Sequence, residues 1–294
     1  MISCSRRCVL PLALALATSA PHAEAQTERT YRTLSTARQV TQEEDITIVV
    51  RFALGHLSLG RDQGGALYRS KLVYDDDLFH PVQRYHRDSR TLEILLGDEE
   101  SKGRDVKIGN LRDLQQRLEM ALSPSVPTRI DLELGVVRAD IDLGGISLIA
   151  ADIKTGASQS VLQFSSPTTA PCERLHVVMG AAEFEIDGLG NSNCGEMQFE
   201  GAAGSFTLNF TGEWQNQGET TAKIKLGVGA LALRFPSHLG VAISLDRFLA
   251  TFERSGFTKR GSVYYSSNYD STAAKLRLDI NAAFGDINVE WVPR

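Results

Sequence analysis

The chain has 294 residues, 42% of them hydrophobic, and a formal net charge of −5 at pH 7. This length and apolar content suffice for one sizeable folded domain. The acidic balance argues against a protein that binds nucleic acid or an anionic lipid surface, because both need basic faces.

Residues 1–25 have the three parts of a secretory signal peptide. Arg6 and Arg7 precede the apolar run Val9–Ala17, and an Ala-Glu-Ala sequence supplies the small residues of a cleavage site. We therefore expect an exported protein, periplasmic or extracellular, whose mature chain starts at Gln26 and has a net charge of −6 (−5 − 2 + 1, for two arginines and one glutamate lost). No later segment approaches the ~18 apolar residues of a transmembrane helix.

The front of the mature chain is predicted to be irregular. Residues 26–45 are polar and lack a period, which predicts a flexible tail. Residues 46–130 are predicted to form an N-terminal β region with an exposed charged loop at 97–107. Four leucines in 111–122 recur at a helical spacing and predict a short helix. Strand character is clearest in three stretches of this region, Ile46–Leu59, Ala66–Tyr74 and Thr91–Leu96.

A polar cluster follows the second of these stretches. It consists of Asp75, Asp76 and Asp77, with His80 and His86 nearby. Carboxylates and imidazoles so close together can bind a divalent cation or share acid–base chemistry. Adjacent strand residues point to opposite faces, however, so a charged hairpin loop is the favoured interpretation.

The second half of the chain repeats one template around a small pivot residue. Apolar side chains fall mainly at −3 and −1 from the pivot, then at +4, +6 and often +8. Gly227 shows this best, with Ile224 and Leu226 before it and Leu231 and Leu233 after it. The six pivots are Gly135, Gly156, Gly180, Ala202, Gly227 and Asn281, and Ala53 marks an early copy that places the start of a solenoid near Ile46.

The offsets predict the shape of each unit. Side chains on one face of a strand are an even number of residues apart, and the step from −1 to +4 is odd. The alternation therefore breaks at the pivot, as at a corner or bulge, where glycine tolerates positive φ. Each unit reads as strand, corner, strand, and such units must stack to bury their apolar faces. Residues 131–294 are thus predicted to be a β-solenoid, interrupted by a cap or insertion over 236–275.

Cys172 and Cys194 are the cysteines that remain after signal cleavage. Both lie eight residues before a pivot, at equivalent positions of adjacent units. Stacked strands are about 4.8 Å apart, within the Cα separation of roughly 4.4–6.8 Å that a disulfide spans. We therefore predict a disulfide, with two free buried thiols as the alternative.

Four aromatic residues form a candidate interaction surface. Trp214 and the tyrosines Tyr264, Tyr265 and Tyr269 could stack on sugars or on a partner, although packing in the core or cap is the favoured interpretation. Acidic pairs at 140 and 142 and at 183 and 185 lie opposite the apolar face. Their two-residue spacing puts both carboxylates of a pair on one side of the strand, as paired glycosidase carboxylates must be. Alternating polar residues predict the same pattern, so these pairs discriminate little. Nucleophile and phosphate-binding motifs are missing, and no metal or other cofactor is expected.

Several glycine-centred segments resemble the bacterial toast-rack family, which includes the C-terminal domain of the cell-wall-active-antibiotic response regulator LiaF. They are Asp131–Gly145, Phe210–Trp214, Lys225–Leu231, Gly261–Ser266 and Ala283–Trp291. The resemblance spans about 46–294 and implies an all-β fold of strands stacked in parallel racks. Most members have no assigned activity. LiaF resembles a membrane protein with transmembrane helices ahead of its rack, whereas a cleavable signal stands there in this chain.

These observations predict an all-β, exported, non-catalytic solenoid. Its expected role is that of an envelope-associated structural or interaction module with a protein or polysaccharide partner. The alternatives are a carbohydrate-active β-helix enzyme that uses surface-groove carboxylates and, secondly, an adhesin.

Overall fold

A computed structural model describes residues 30–97, 115–215 and 218–293, and nearly all of its regular structure is β. The signal peptide, positions 98–107 of the predicted charged loop and positions 111–114 of the predicted helix lie outside these residues. The strands are β1 Tyr31–Gln39, β2 Ile46–Arg61, β3 Ala66–Asp75, β4 Val82–His86, β5 Thr91–Leu96, β6 Arg117–Leu122, β7 Thr128–Asp142, β8 Leu148–Gln163, β9 Cys172–Asp187, β10 Cys194–Asn209, β11 Gly218–Pro236, β12 Gly240–Phe252, β13 Phe257–Arg260, β14 Val263–Ser266 and β15 Ala274–Val292.

In the part of the chain that the structure describes, eight long strands form a parallel stack in the order β2-β7-β8-β9-β10-β11-β15-β12. Each is one rung of the solenoid, with a leading arm before the pivot and a trailing arm after it. The pairing skips the pivot itself: Leu134 pairs with Thr155 and Val136 with Ala157, on either side of Gly135. The same skip at Ala53 makes β2 the first complete rung. The predicted stack and its corner are therefore confirmed, and the predicted boundary at 131 falls inside β7.

Where the pivot is glycine, the reason differs from the predicted one. Positive φ occurs two residues later, for example at Gly229 with φ +144°. At the pivot the problem is space, because a Cβ on Gly180 would lie 2.6 Å from the carbonyl oxygen of Gly156. Stacked corners thus bring one backbone directly against the next.

At the start of the stack the sheet divides at the corner of β2. The leading arm of β2 pairs with β5, which pairs with β4, and its trailing arm pairs with β6, followed by β3 and β1. The predicted helix over 111–122 is wrong for its described part, because Leu118, Met120 and Leu122 are buried at a period of two and extend the trailing sheet. The predicted tail over 26–45 is also corrected. Residues 31–39 form β1, which pairs along its whole length with β3 although Leu34 is its one large aliphatic residue.

At the other end, the strand latest in the chain lies inside the stack. β15 pairs in parallel with β11 on one side and with β12 on the other. Its register places residue 283 opposite Gly227, so the predicted pivot Asn281 is two residues too early. The predicted cap over 236–275 is corrected in part: β12 is a rung, and the β13–β14 hairpin covers the leading arm of β12.

The core runs between the two arms along the whole stack. Large aromatic side chains are fully buried in several parts of the stack: Phe52 in β2, Phe164 directly after β8, Phe184 in β9 and Phe199 in β10. Rings also stack at the ends of the trailing arms, where the Phe210 and Phe235 centroids are 5.3 Å apart. With the interior filled, the outer faces of the arms and the corner are the surfaces available for function.

Candidate interaction surface

The Cys172–Cys194 disulfide links the first residues of β9 and β10. The two half-cystines face each other in the parallel register, and their sulfurs are 2.02 Å apart. Both are buried. The predicted bridge is confirmed and joins adjacent rungs at the start of their leading arms.

The polar cluster at 75–77 forms a turn between β3 and β4. Asp75 is buried, and its Oδ1 accepts a hydrogen bond from the backbone N–H of Asp77. Asp76 pairs with Arg32 at 2.9 Å. His80 is exposed beyond the turn, while Nε2 of His86 lies 3.5 Å from a Glu93 carboxylate oxygen on β5. The side chains thus point to separate local partners. Among the described residues no group of three or more His, Cys, Asp or Glu could hold a metal ion.

Trp214 and the three tyrosines pack in two separate parts of the molecule. Trp214 is half-buried beside Gly190 and donates a hydrogen bond from Nε1 to the Phe210 carbonyl at 2.9 Å. Tyr264 and Tyr269 are buried, and Tyr265 is half-buried with its ring 5.0 Å from that of Tyr269. Packing therefore accounts for most of the surface of these rings.

Tyr269 also takes part in a polar network on the leading arm. Its hydroxyl donates to Glu219 at 2.6 Å, and Arg277 binds the same carboxylate with Nε and Nη2. Burial, together with the hydrogen bond to Glu219, raises the pKa of Tyr269 to about 12. The hydrogen bonds from Arg277 and Tyr269 hold the pKa of Glu219 below its usual value. The network ties β11 to β15 and to the loop after β14.

The two outer faces differ in charge. On the leading arms, outward positions two, four and six residues before the pivots carry seven acidic and seven basic side chains. Many form ion pairs between rungs, such as Lys154 with Glu133 and Arg174 with Asp152. On the trailing arms, counted within the described strands so that β12 ends at Phe252, outward positions three, five and seven residues after the pivots carry seven acidic and two basic side chains, a net charge of −5. The trailing face is therefore the acidic surface of the stack.

The acidic pairs considered for glycosidase chemistry lie on this trailing face. Asp140 pairs with His56 at 2.8 Å, and Asp142 accepts hydrogen bonds from the backbone N–H groups of Gly144 and Ser165. Glu185 lies 3.4 Å from Arg234. These contacts hold rungs and turns together, and the carboxylates stand on an open sheet face.

An apolar row follows the corner from rung to rung. The residue directly after the pivot is apolar in every one of the eight rungs, and in all but the first it is exposed. We call this row, together with Phe248 at the pivot of β12, the corner ridge: Leu54, Val136, Ala157, Ala181, Ala203, Val228, Phe284 and Leu249. Phe248 is 76% exposed and Leu249 65%. The rings of Phe248 and Phe284 meet edge to face with centroids 5.9 Å apart.

A shallow groove runs beside the ridge on the leading-arm side. Its floor is made by the pivots Gly180, Ala202 and Gly227, and its far wall includes Glu200 and Lys225, within a volume of about 450 Å³. Nζ of Lys225 lies 2.9 Å from Glu200, so the charges in the wall neutralise each other. The groove therefore presents backbone and a concave surface to a binding partner, and it holds no reactive group among its described lining residues.

The sequence matches the family described as the N-terminal domain of toast_rack, DUF2154, over residues 23–173, which is 151 of the 294 residues. The chain belongs to the toast-rack family. The predicted toast-rack family is thereby confirmed, together with the stacked all-β fold. Of the glycine-centred segments that suggested it, Asp131–Gly145 lies within the matched residues. No curated protein sequence matches the chain.

Solved structures similar to this toast-rack protein have low sequence identity. A proposed cell adhesion protein from Clostridium sporogenes is 17% identical, with a TM-score of 0.46 over 90% of this chain and 100% of its own. A proposed adhesin from Bacteroides fragilis is 8% identical, with a TM-score of 0.38 over 88% and 97%. A proposed lipid binding protein from Parabacteroides distasonis is 11% identical, with a TM-score of 0.32 over 90% and 95%.

The corner ridge is the feature of this toast-rack protein that the sequence analysis missed. The repeat template counted buried positions, whereas the +1 residue faces solvent and so left no mark in the burial pattern. The signal that could have revealed it is the absence of any polar residue at +1 in the recognised copies, from Val136 to Val228.

Within the described residues, no helix has the length and apolar character needed to cross a membrane.

Proposed function

We propose that this protein is an exported, non-catalytic interaction module of the cell envelope. The observation that carries the proposal is the charge asymmetry between its two outer faces. The leading face has equal numbers of acidic and basic side chains, whereas the trailing face has a net charge of −5. A rigid sheet face of this kind suits a partner that presents a basic or neutral polar surface.

The disulfide supports export. Disulfides persist in oxidising compartments outside the cytoplasm, and the Cys172–Cys194 bridge is buried between two rungs. The signal-peptide pattern of residues 1–25 leads to the same compartment. We infer that the mature rack works in the periplasm or at the cell exterior, where it engages an envelope protein or polysaccharide.

The competing function is that of a carbohydrate-active enzyme. Such an enzyme needs two carboxyl groups on either side of a bound sugar, one of them kept protonated by an apolar environment. Here the candidate acids stand on an open face with partners of their own, such as Asp140 with His56. The geometry therefore favours binding over hydrolysis.

The test is a binding screen with purified residues 26–294. The protein is incubated with solubilised envelope proteins and with purified polysaccharides at low and high salt, and reducing-sugar release is read in the same wells. We expect retention that weakens with salt, no sugar release, and loss of retention in a triple variant E183Q/E185Q/D187N. A matched E196Q variant on the leading face should bind like the parent protein. Sugar release abolished by D140N would overturn the proposal in favour of the enzyme, and binding unaffected by the triple variant would exclude the acidic face.

A further inference from the structure

We propose that this protein forms a homodimer in which the corner ridge of one copy packs antiparallel against the corner ridge of a second copy. The dimer would cover the row three residues after the pivots and leave the outward rows at five and seven residues open on both trailing faces. Its existence is independent of the partner proposed above. Three features of the ridge support the assignment: its exposed apolar length, its gradient of side-chain size and the charges beside it.

The ridge is a contiguous row of apolar side chains that are exposed in every rung after the first, and such patches mark interaction sites. Seven steps of about 4.8 Å between its eight rungs give a length of roughly 34 Å. Val228, Phe284, Phe248 and Leu249 are neighbours at one end, and each is at least 43% exposed. Alanines continue the row to Val136 without a polar interruption.

The sizes of the ridge residues fit an antiparallel pair. The middle of the ridge holds Ala181 and Ala203, so two copies can approach closely there. Twisted sheets packed face to face diverge away from their crossing point, and larger side chains are needed toward both ends. An antiparallel pair supplies them symmetrically, with Val228 opposite Ala157 of the second copy and Phe284 opposite Val136. A parallel pair would place two copies of Phe284 together at one end, and only smaller side chains would fill the space between the two copies at the other end.

The charges beside the ridge also favour the antiparallel orientation of the two copies. In the two rows that flank it, two residues before and three residues after the pivots, rungs β2, β7, β8 and β9 carry three basic side chains and two acidic, a net charge of +1. Rungs β10, β11, β15 and β12 carry one basic and three acidic, a net charge of −2, or −1 when the exposed Arg247 is included. Reversing one copy brings opposite charges together at both ends.

One residue pair makes the orientation testable. Arg138 on β7 and Asp286 on β15 occupy the same outward row, three residues after their pivots. Within the described residues neither takes part in an ion pair: Arg138 donates to the Gln159 side chain, and Asp286 accepts from the Thr251 hydroxyl. In the antiparallel dimer each Arg138 faces Asp286 of the second copy, so the pair occurs twice.

The buried area predicts a weak but specific dimer. The ridge and its two flanking rows span six residues, or five steps of about 3.4 Å and about 17 Å in all, so each copy contributes roughly 570 Å² to the footprint. The total of about 1,100 Å² lies just above the ~1,000 Å² expected of a biological interface and below the standard size. We therefore expect dimerisation in the micromolar range.

Sedimentation velocity of residues 26–294 between about 1 and 200 μM tests the proposal. We expect a reversible dimer, weakened at least about tenfold by F284S or F248S. L78S, which removes a large exposed apolar residue from the β3–β4 turn, should leave the dimer unchanged. A protein that stays monomeric at 200 μM, or a dimer that F284S and L78S affect equally, would overturn the proposal.

Charge reversal separates the proposed interface from a folding defect. R138E and D286R should each weaken self-association about tenfold, because each variant places two like-charged pairs in its own dimer. An equimolar mixture of the two variants should recover the parent affinity, since both pairs are then opposite in charge. Failure of the mixture to associate better than either variant alone would exclude the antiparallel arrangement.

Discussion

Replacing Gly229 by alanine tests whether close backbone approach at the corner limits which residues the stack accepts. Gly229 lies two residues after the pivot of β11, with φ +144°. A Cβ on it would overlap the carbonyl oxygen of Gly204 on the preceding rung. Two costs follow: backbone strain of about 1–3 kcal/mol and overpacking of about 1–3 kcal/mol. The entropy removed from the unfolded chain returns about 0.4–1 kcal/mol.

We therefore expect Gly229→Ala to lower the free energy of unfolding by about 2–5 kcal/mol. The matched control is Gly60→Ala on β2, where φ is not in the left-handed region and nothing lies within 4 Å of the new Cβ. This control should be neutral or should stabilise the protein by up to about 1 kcal/mol. Both variants exchange glycine for alanine inside a paired strand. The difference between their free energies of unfolding therefore reports the effect of the corner.

Urea unfolding, followed by circular dichroism and by fluorescence, measures the difference. The sequence has two tryptophans, Trp214 and Trp291, and coincident curves from the two signals would show that the stack unfolds as one unit. With a slope near 3 kcal/mol/M, the midpoint of Gly229→Ala should fall by roughly 1 M. Equal midpoints for Gly229→Ala and Gly60→Ala would refute the argument that stacked backbones set the corner geometry.

Three further predictions concern stability. Replacing Cys172 and Cys194 together by alanine should lower the free energy of unfolding by about 3 kcal/mol, because their bridge closes a loop with a sequence separation of 22. Thermal melts with and without reductant measure this effect. A parent protein whose melting temperature does not respond to reductant would contradict the prediction. Thr155→Val should stabilise the protein by about 1 kcal/mol, since the Thr155 hydroxyl is buried without a hydrogen-bond partner among the described residues. The urea unfolding midpoint measures this change. A midpoint below that of the parent protein would show that the hydroxyl is needed. The folded-state pKa of Glu219 lies below its usual 4.5, so its contribution is present above that pH and is lost as the pH falls through the lowered pKa. Glu219→Gln should therefore flatten the decline of melting temperature below pH 4.5, and an unchanged acid profile would count against the bond to Arg277.

The sequence predicted the regular part of the rack because burial alone sets its pattern. The odd step at each pivot gave the corner at Gly135 and Gly227, and the equal offsets of Cys172 and Cys194 gave the disulfide. Both follow from nearest-neighbour stacking, in which equivalent positions of adjacent units must meet.

The missed features depend on contacts that no local period records. β1 is polar and exists because β3 offers it a complete ladder of backbone hydrogen bonds. Leu118 belongs to two patterns at once, and the neighbouring rung selects the strand rather than the helix. The pivot at Asn281 was misplaced because leucine and isoleucine at 278 and 280 satisfy the template two residues early. The corner ridge escaped notice because exposure of an apolar residue has no periodic signal of its own.

The position of β15 between β11 and β12 affects the order in which the rack can be assembled. A chain that emerges from a ribosome or a translocon delivers β12 before β15, yet the two backbone edges that β15 occupies belong to β11 and β12. Those edges must stay apart until residues 274–292 arrive, since direct pairing of β11 with β12 would trap a rack one rung short. Strands from β2 to β11 can therefore pair one after another as the chain emerges. The last two rungs can form only after β15 has been delivered, because β12 pairs with β15 and not with β11.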